Sequence, residues 1–292
     1  MLQSGAAQAP AKINLTLEIM ARRADGYHRV RSVMLPIGLH DVVRWQPAER
    51  FAFACDDGAP RDKSNLVVRA FDALQIQPAL DVTLEKHIPT GGGLGGGSSD
   101  GAAILRAAAA GAFGTLGEKD FVKIARGLGS DVPFFLVETG ALVEGTGERV
   151  TALGRLPDWW TVIVMPPVAV DTAVAYSALD AKRGKRFKVA SRNESPSMAA
   201  VEAVQRGDFN AAIAACMNDF ESVIAAREPK IAGALEALRA AGARVARLSG
   251  SGSSCFALAE TQAEANAIAE RLKLPSKVRV HVAPLAPTNP WR

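Results

Sequence analysis

The run Pro89 to Ser99, within IPTGGGLGGGSSDGAAILRAAAAGAF, constrains this chain more than any other stretch. Six glycines and Leu94 fill the seven positions from Gly91 to Gly97, and an alanine-rich, helix-forming segment follows Ser98, Ser99 and Asp100. Glycine admits positive φ and lets backbone N–H groups approach a ligand with no Cβ in the way. A helix beginning there adds unpaired N–H groups and the positive end of its dipole. Such a junction suits phosphate. The plain alternative is a flexible linker, but Gly/Ser linkers do not usually run straight into an N-cap residue and a series of helix formers.

The type of phosphate loop stays open at this level. Gly91, Gly93 and Gly96 satisfy G-x-G-x-x-G after the strand-like alternation of Val82 to Lys86, so a nicotinamide dehydrogenase is one alternative. The acidic residue that fingerprint wants about twenty positions on falls at Glu118, in a polar segment. The Gly-Lys-Ser/Thr of a Walker loop is absent.

At 292 residues the chain favours two domains, on a prior of about 150 residues each. With 48% apolar and 22% charged residues and a formal charge of +4, it reads as a soluble globular protein with no nucleic-acid partner. The densest charge run, Lys182 to Lys188 (KRGKRFK), reads as a solvated loop. No apolar run is long enough to span a bilayer, and MLQSGAAQAP lacks the basic start and apolar stretch of a signal peptide. A cytoplasmic location with no membrane partner is the expectation. Cys55, Cys216 and Cys255 are spaced for neither a disulfide framework nor a metal knuckle, and His28, His40, His87 and His281 form no paired metal motif.

After a loose tail, Ile13, Leu15, Leu17 and Ile19 alternate as a strand buried on one face, leaving Lys12, Asn14, Thr16 and Glu18 on the other. The ordinary reading of that second face is solvated. Asp25-Gly26 marks a turn that carries Tyr27 and His28, as hairpin cap or substrate clamp. Strands are expected at Val30 to Ile37, Asp41 to Gln46 and Asp81 to Lys86, and helices at Leu66 to Leu74, capped by Asn65, and at Ser98 to Ala112. A short helix from Asp120 leads to Asp131, a loop carboxylate with two readings: an Asx-turn or N-cap, and a general base or metal ligand. A glycine-rich hairpin at Gly140 to Val150 precedes the expected domain boundary in Gly154 to Trp160. The second half alternates β and α: a strand at Thr161 to Met165, helices at Met198 to Gln205, Ala211 to Cys216 and Lys230 to Ala241, then strand, glycine turn and strand across Ala243 to Leu258. A helix at Glu264 to Leu272 and a strand at Val278 to Val282 finish it.

Three separated segments together resemble a known family. Pro10-Ala11-Lys12-Ile13-Asn14-Leu15 with Arg23-Ala24-Asp25-Gly26-Tyr27-His28, then Pro89 to Ser99, then Leu248 to Phe256, are similar to the three signatures of the galactokinase, homoserine, mevalonate and phosphomevalonate (GHMP) kinases. The resemblance spans nearly the whole chain. It implies a two-domain α+β fold, with residues 1–157 like the second domain of ribosomal protein S5, residues 158–292 ferredoxin-like, and the active site between them. The implied reaction is transfer of the ATP γ-phosphate to an alcohol. Pairing of the Lys-Ile-Asn-Leu segment with Asp-Gly-Tyr-His narrows the implied partner to a small-molecule substrate, cytidine diphosphate methylerythritol, phosphorylated on its tertiary 2-hydroxyl for non-mevalonate isoprenoid precursor synthesis. Mevalonate and homoserine are the alternatives within the family.

Carried over position by position, the resemblance makes Asp131 the base that removes the hydroxyl proton and Lys12 the group that orients it and stabilises developing charge. Pro89, Thr90, Gly91, Gly92, Gly93, Leu94, Gly95, Gly96, Gly97, Ser98 and Ser99 would hold the triphosphate, with Mg²⁺ bridging phosphate oxygens and touching Ser99. Asn65 falls on the adenine side. Asn14, Tyr27, His28, Thr172 and Ala173 match substrate positions, His28 bonding to cytosine and Tyr27 stacking on it. The turn Ser249 to Ser254 would close over the site from the other domain, in a monomer or weak homodimer. Phosphoryl transfer rests on alignment and charge stabilisation, so this apparatus suffices. One departure is Gly101, where the family helix leads one to expect alanine and glycine costs up to about 1 kcal/mol.

Overall fold

A computed structural model describes residues 3–23, 26–56, 60, 62–76, 79–114, 119–184 and 191–285. Its frame is a long antiparallel pair, β1 (Gly5–Arg22) and β2 (His28–Pro47), in register at Ile13↔Leu35 and Glu18↔Arg31. The expected loose tail is strand instead. Ala6 to Ala9 carry little intrinsic β preference, but they pair with Asp41 to Arg44 of β2, and Gly5 packs so close to Trp45 that a Cβ would lie 2.5 Å from the indole. Tertiary pairing overrides weak local propensity there. The two strands expected at Val30 to Ile37 and Asp41 to Gln46 are likewise one. The register passes from Ala11↔Ile37 to Pro10↔His40, so Gly38 and Leu39 form a bulge rather than a break.

The first sheet runs in the order β3 (Ala52–Cys55), β4 (Leu80–Glu85), β2, β1, β8 (Met217–Asn218), with β5 (Ala141–Gly145) on the remaining part of β2 and β6 (Arg149–Ala152) beyond it. Helices α1 (Leu66–Ala73), α2 (Gly96–Ala109) and α3 (Phe121–Leu128) enclose a core that includes Val43, Phe71, Leu84, Ile104 and Phe134. Gly101 belongs to that packing. A Cβ there would stand 3.1 Å from both Cβ and carbonyl oxygen of Leu66, so the residue brings α1 and α2 close and its propensity deficit is offset by contact.

The second sheet is antiparallel throughout, ordered β11 (Arg279–Pro284), β7 (Trp160–Met165), β10 (Cys255–Ala259), β9 (Ala246–Leu248). Around it lie α4 (Thr172–Arg183), α5 (Pro196–Arg206), α6 (Phe209–Ala215), α7 (Glu221–Ala225), α8 (Pro229–Ala240) and α9 (Gln262–Arg271). The alternating residues of β7 and β10 split between two cores. Val162 and Val164 face Leu235 and Ile268, while Ile163 and Phe256 pack with Ile13, Leu35 and Ile37 of the first sheet. The halves therefore share a hydrophobic seam, reinforced by β8 pairing with β1 and by an isolated bridge from Leu285 to Ile37. All three cysteines are free and buried. Residues 185–188 of the basic run, and Glu118, lie outside the described residues. Among the described residues no helix is long and apolar enough to cross a membrane.

Candidate active site

The glycine loop leaves β4 and turns on three positive-φ glycines, Gly91 (71°), Gly93 (75°) and Gly95 (74°). Gly95 is also the N-cap of α2, with no side-chain cap. The helix thus starts two residues before the serine start expected from the sequence, and a bare glycine replaces the capping side chain. N–H groups of the first turn stay available to an anion. Leu94 is the loop's anchor in the core, Gly97 is exposed, and Ser99 is fully buried with its hydroxyl unpartnered.

A second glycine turn closes on this loop from the other half of the chain. A Cβ on Gly93 would lie 2.1 Å from the Ser249 carbonyl oxygen, so glycine is required at that contact. The Ser249 hydroxyl donates to the Gly93 carbonyl at 2.9 Å, and the Ser254 N–H donates to the Gly92 carbonyl at 2.9 Å. Asn218 holds the turn from behind, its amide donating to the carbonyls of Leu248 (2.7 Å) and Gly250 (2.8 Å).

The polar face of β1 is not solvated. Lys12, Asn14, Thr16 and Glu18 are all buried, and each finds a partner: Asn14 donates to Ser32 Oγ at 2.8 Å, Thr16 meets Ser197 Oγ at 2.8 Å, and Glu18 accepts from the Ser197 N–H at 3.1 Å. Lys12 spans the site. Its backbone N–H donates to Leu94 O (2.9 Å), and its Nζ donates to Asn14 Oδ1 (2.6 Å) and Gly93 O (2.8 Å) while standing 3.8 Å from Asp131 Oδ2. Burial holds the Lys12 amine below the usual lysine range, with the Asp131 charge opposing. Asp131 opens a 3-10 turn over Val132–Leu136 but makes no capping hydrogen bond, so the N-cap reading does not hold. Its side chain is 31% exposed.

These groups line an inner pocket of about 250 Å³ that opens through Ser130, Gly147, Thr172 and Tyr176 into a cleft of about 920 Å³. Tyr27, His28, Thr172 and Ala173 line the outer cleft, and Asn14 the inner pocket, so the expected substrate residues converge. Tyr27 is 70% exposed. His28 is held on two sides, Nε2 lying 2.9 Å from Asp180 Oδ1 and the ring stacked on Tyr176 at 4.9 Å and 17°. Burial first, and then the Asp131 carboxylate, push the Tyr176 phenol up to about 12, keeping it a neutral hydroxyl.

Tyr176 and Asp180 are the residues that reading the sequence missed. Their signal was present, since Thr172, Ala173, Tyr176 and Asp180 follow helical spacing and share a face of α4. Asn65 does not join the site's lining. It caps α1 by accepting from the Val67 N–H at 2.9 Å and donates to Pro60 O at 2.9 Å. Among the described residues no group of three His, Cys, Asp or Glu side chains is placed to hold a metal ion.

Comparison with known proteins gives the same picture. The description "GHMP kinases N terminal domain" matches residues 65–139 and "GHMP kinases C terminal" matches residues 200–276. The chain is 38% identical over 272 residues to the 4-diphosphocytidyl-2-C-methyl-D-erythritol kinase of Symbiobacterium thermophilum, covering 90% of this chain and 93% of that one. It is 39% identical to the Solidesulfovibrio magneticus enzyme of the same name, covering 94% and 95%. A crystal structure of 4-(cytidine 5'-diphospho)-2C-methyl-D-erythritol kinase superposes with a TM-score of 0.77 at 33% identity, over 96% of this chain and 99% of that one. Homoserine kinase from Cytophaga hutchinsonii shares the fold, with a TM-score of 0.70 at 19% identity over 100% and 98% of the two chains.

Proposed function

The chain belongs to the GHMP kinases, in the 4-diphosphocytidyl-2-C-methyl-D-erythritol kinase family with its two-domain α+β fold, and on that premise we propose its reaction. It transfers the ATP γ-phosphate to the tertiary 2-hydroxyl of 4-diphosphocytidyl-2-C-methyl-D-erythritol, giving the 2-phosphate and ADP, in isoprenoid precursor synthesis. The observation that carries this is the position of Lys12. One ammonium is tied to the phosphate loop at Gly93, stands beside the Asp131 carboxylate, and lines the inner pocket.

In the reaction Asp131 accepts the proton of the 2-hydroxyl as the oxygen attacks the γ-phosphorus, and the bond to the β-phosphate oxygen breaks to release ADP. Lys12 fixes the direction of that carboxylate and offsets charge as it spreads over the transferred group. The N–H groups of Gly96, Gly97 and Ser98 in the first turn of α2 face the triphosphate, and the docked Ser249–Ser254 turn restricts water. Tyr27, His28 and Tyr176 form the aromatic grip for cytosine, with Asn14, Thr172 and Ala173 along the diphosphate and polyol. The division into residues 1–157 and 158–292, with Asn65 near the adenine, belongs to the same reading.

Mg²⁺ is part of this proposal. The Ser99 hydroxyl, buried in the first turn of α2 with no hydrogen-bond partner, is the group that would hold the ion, and Asp131 is the carboxylate that lines the inner pocket. Ser99 is the residue assigned to it, and the ion would neutralise phosphate charge.

Steady-state ADP release with cytidine diphosphate methylerythritol, mevalonate and homoserine tests the assignment. The expected result is turnover with the first at a kcat/KM at least about a thousandfold above the others, since the cytidine grip contributes more than about 4 kcal/mol. Higher kcat/KM on mevalonate or homoserine overturns the substrate, and thermal stabilisation by NAD but not ATP overturns the kinase.

A further inference from the structure

Three of the chain's four histidines meet away from the kinase cleft. A separate cavity of about 570 Å³ is lined by His40 of β2, by Lys86 and His87 between β4 and the glycine loop, and by Arg279 and His281 of β11. It shares no lining residue with the substrate cleft or the inner pocket. We propose that this cavity is a second anion site, taking a phosphate or diphosphate group, free or carried on a small molecule.

Each charged or titratable side chain on its wall is basic, and no carboxylate lines it. Arg279 is exposed and its guanidinium makes no hydrogen bond or ion pair among the described residues. The imidazoles of His87 and His281 likewise make no side-chain hydrogen bond there, and His40 Nδ1 reaches only Gly38 O, at 3.3 Å. These are donors with nothing to donate to. Lys86 differs, because its ammonium is bound behind the wall to Asp41 and, at 2.8 Å, to Asp100. Arg279 is therefore the fixed positive group of the cavity, with the three imidazoles beside it.

His281 shows what their proximity does. Burial first, then His40 and His87, hold its imidazole below the ordinary histidine range. A phosphate between the rings would reverse that repulsion and favour their charged forms. Proton uptake and anion binding are then linked, and affinity rises as pH falls, by about tenfold per pH unit for each proton taken up. A metal ion is the competing occupant of a histidine cluster. Arg279 on the same wall repels a cation, and the rings do not stand together as ligands.

The test is NMR of the histidine ring protons in the full chain, assigned with single His→Gln variants. The kinase site is filled with a non-hydrolysable ATP analogue, and orthophosphate or diphosphate is added near pH 6 and near pH 8 against KCl of equal ionic strength. The expected result is saturable shifts at His40, His87 and His281 but not His28, with affinity at least about tenfold tighter near pH 6. Whichever anion binds more tightly identifies the group the cavity takes. Arg279→Gln, an exposed change that leaves the core intact, and His281→Gln should each weaken binding at least about fivefold with ATP-dependent turnover unchanged. Shifts reproduced by KCl, pH-independent affinity, undiminished binding in Arg279→Gln, or displacement of both anions by micromolar Zn²⁺ would each overturn the proposal.

Discussion

Replacing Asp131 by Asn separates the chemistry from the architecture, because this carboxylate makes no hydrogen bond that builds its turn. Its turn is closed by the Val132 N–H to Gly129 O at 3.3 Å and stiffened by Pro133, and Asp131 caps no helix. An amide of the same size removes one thing, the negative charge 3.8 Å from Lys12 Nζ. At an effective dielectric of about 20 that pair is bounded at about 4 kcal/mol. Partial exposure reduces the net loss in stability to between about 1 kcal/mol, as for surface pairs, and about 3 kcal/mol, as for buried ones. Loss of the base acts on the barrier instead, lowering turnover by about two to four orders of magnitude, or about 3–5 kcal/mol. Single-turnover phosphoryl transfer reads the barrier, and calorimetry with a non-hydrolysable ATP analogue reads nucleotide affinity, expected within about threefold of wild type because phosphate contacts are untouched. Turnover within about tenfold of wild type, or a parallel collapse of ATP affinity, would refute the role given to Asp131.

Tyr176→Leu keeps an apolar side chain against Phe220 but removes the ring stacked on His28. At about 1–3 kcal/mol per stacked base, KM for the cytidine substrate should rise about 5- to 100-fold while KM for ATP stays put. Gly93→Ala places a methyl 2.1 Å from Ser249 O at φ +75°, forcing the two glycine turns apart; a stability loss above about 2 kcal/mol in urea melts and weakened ATP binding are expected. Asp100 is raised to about 8 by burial, against the pull of Lys86 and with Asp41 adding to the rise. The folded state then holds the proton that the unfolded chain has lost between about pH 4 and pH 8, so stability falls as pH rises through that window. Asp100→Asn should flatten this slope, as measured by urea melts at pH 5 and pH 8.

Much of the site was legible because its chemistry is written in residue types that few structural roles require. A run of glycines ending in a helix, an aromatic and an imidazole at Tyr27 and His28, and a loop aspartate all remained where the sequence placed them, while Asp25 of the expected turn lies outside the described residues. Lys12 shows the limit. Alternation assigned it correctly to the face opposite Ile13 and Leu15, but whether that face meets water depends on the glycine loop, α5 and the facing residues of β2, all remote in sequence. The two-residue strand β8 has no periodicity to detect, and its pairing with β1 comes from the fold alone. Ala6 to Ala9 became strand because β2 offered a partner, and Gly101 read as a helix fault because Leu66, which needs the space, lies on another helix. Tyr176 went unnoticed for a different reason: a tyrosine among apolar helix residues looks like core until His28 arrives from the other sheet.

The central claim, that the cleft presents the tertiary 2-hydroxyl of a cytidine diphosphate polyol to Asp131 and the γ-phosphate, is tested most directly by the phosphorus NMR spectrum of the product. Transfer to a tertiary carbon gives a new phosphomonoester with no proton on the attached carbon. The expected signal lacks three-bond proton coupling, forms one for one with ADP, and is absent in Asp131→Asn over the same time. A proton-coupled phosphomonoester, marking transfer to a primary or secondary hydroxyl, would contradict it.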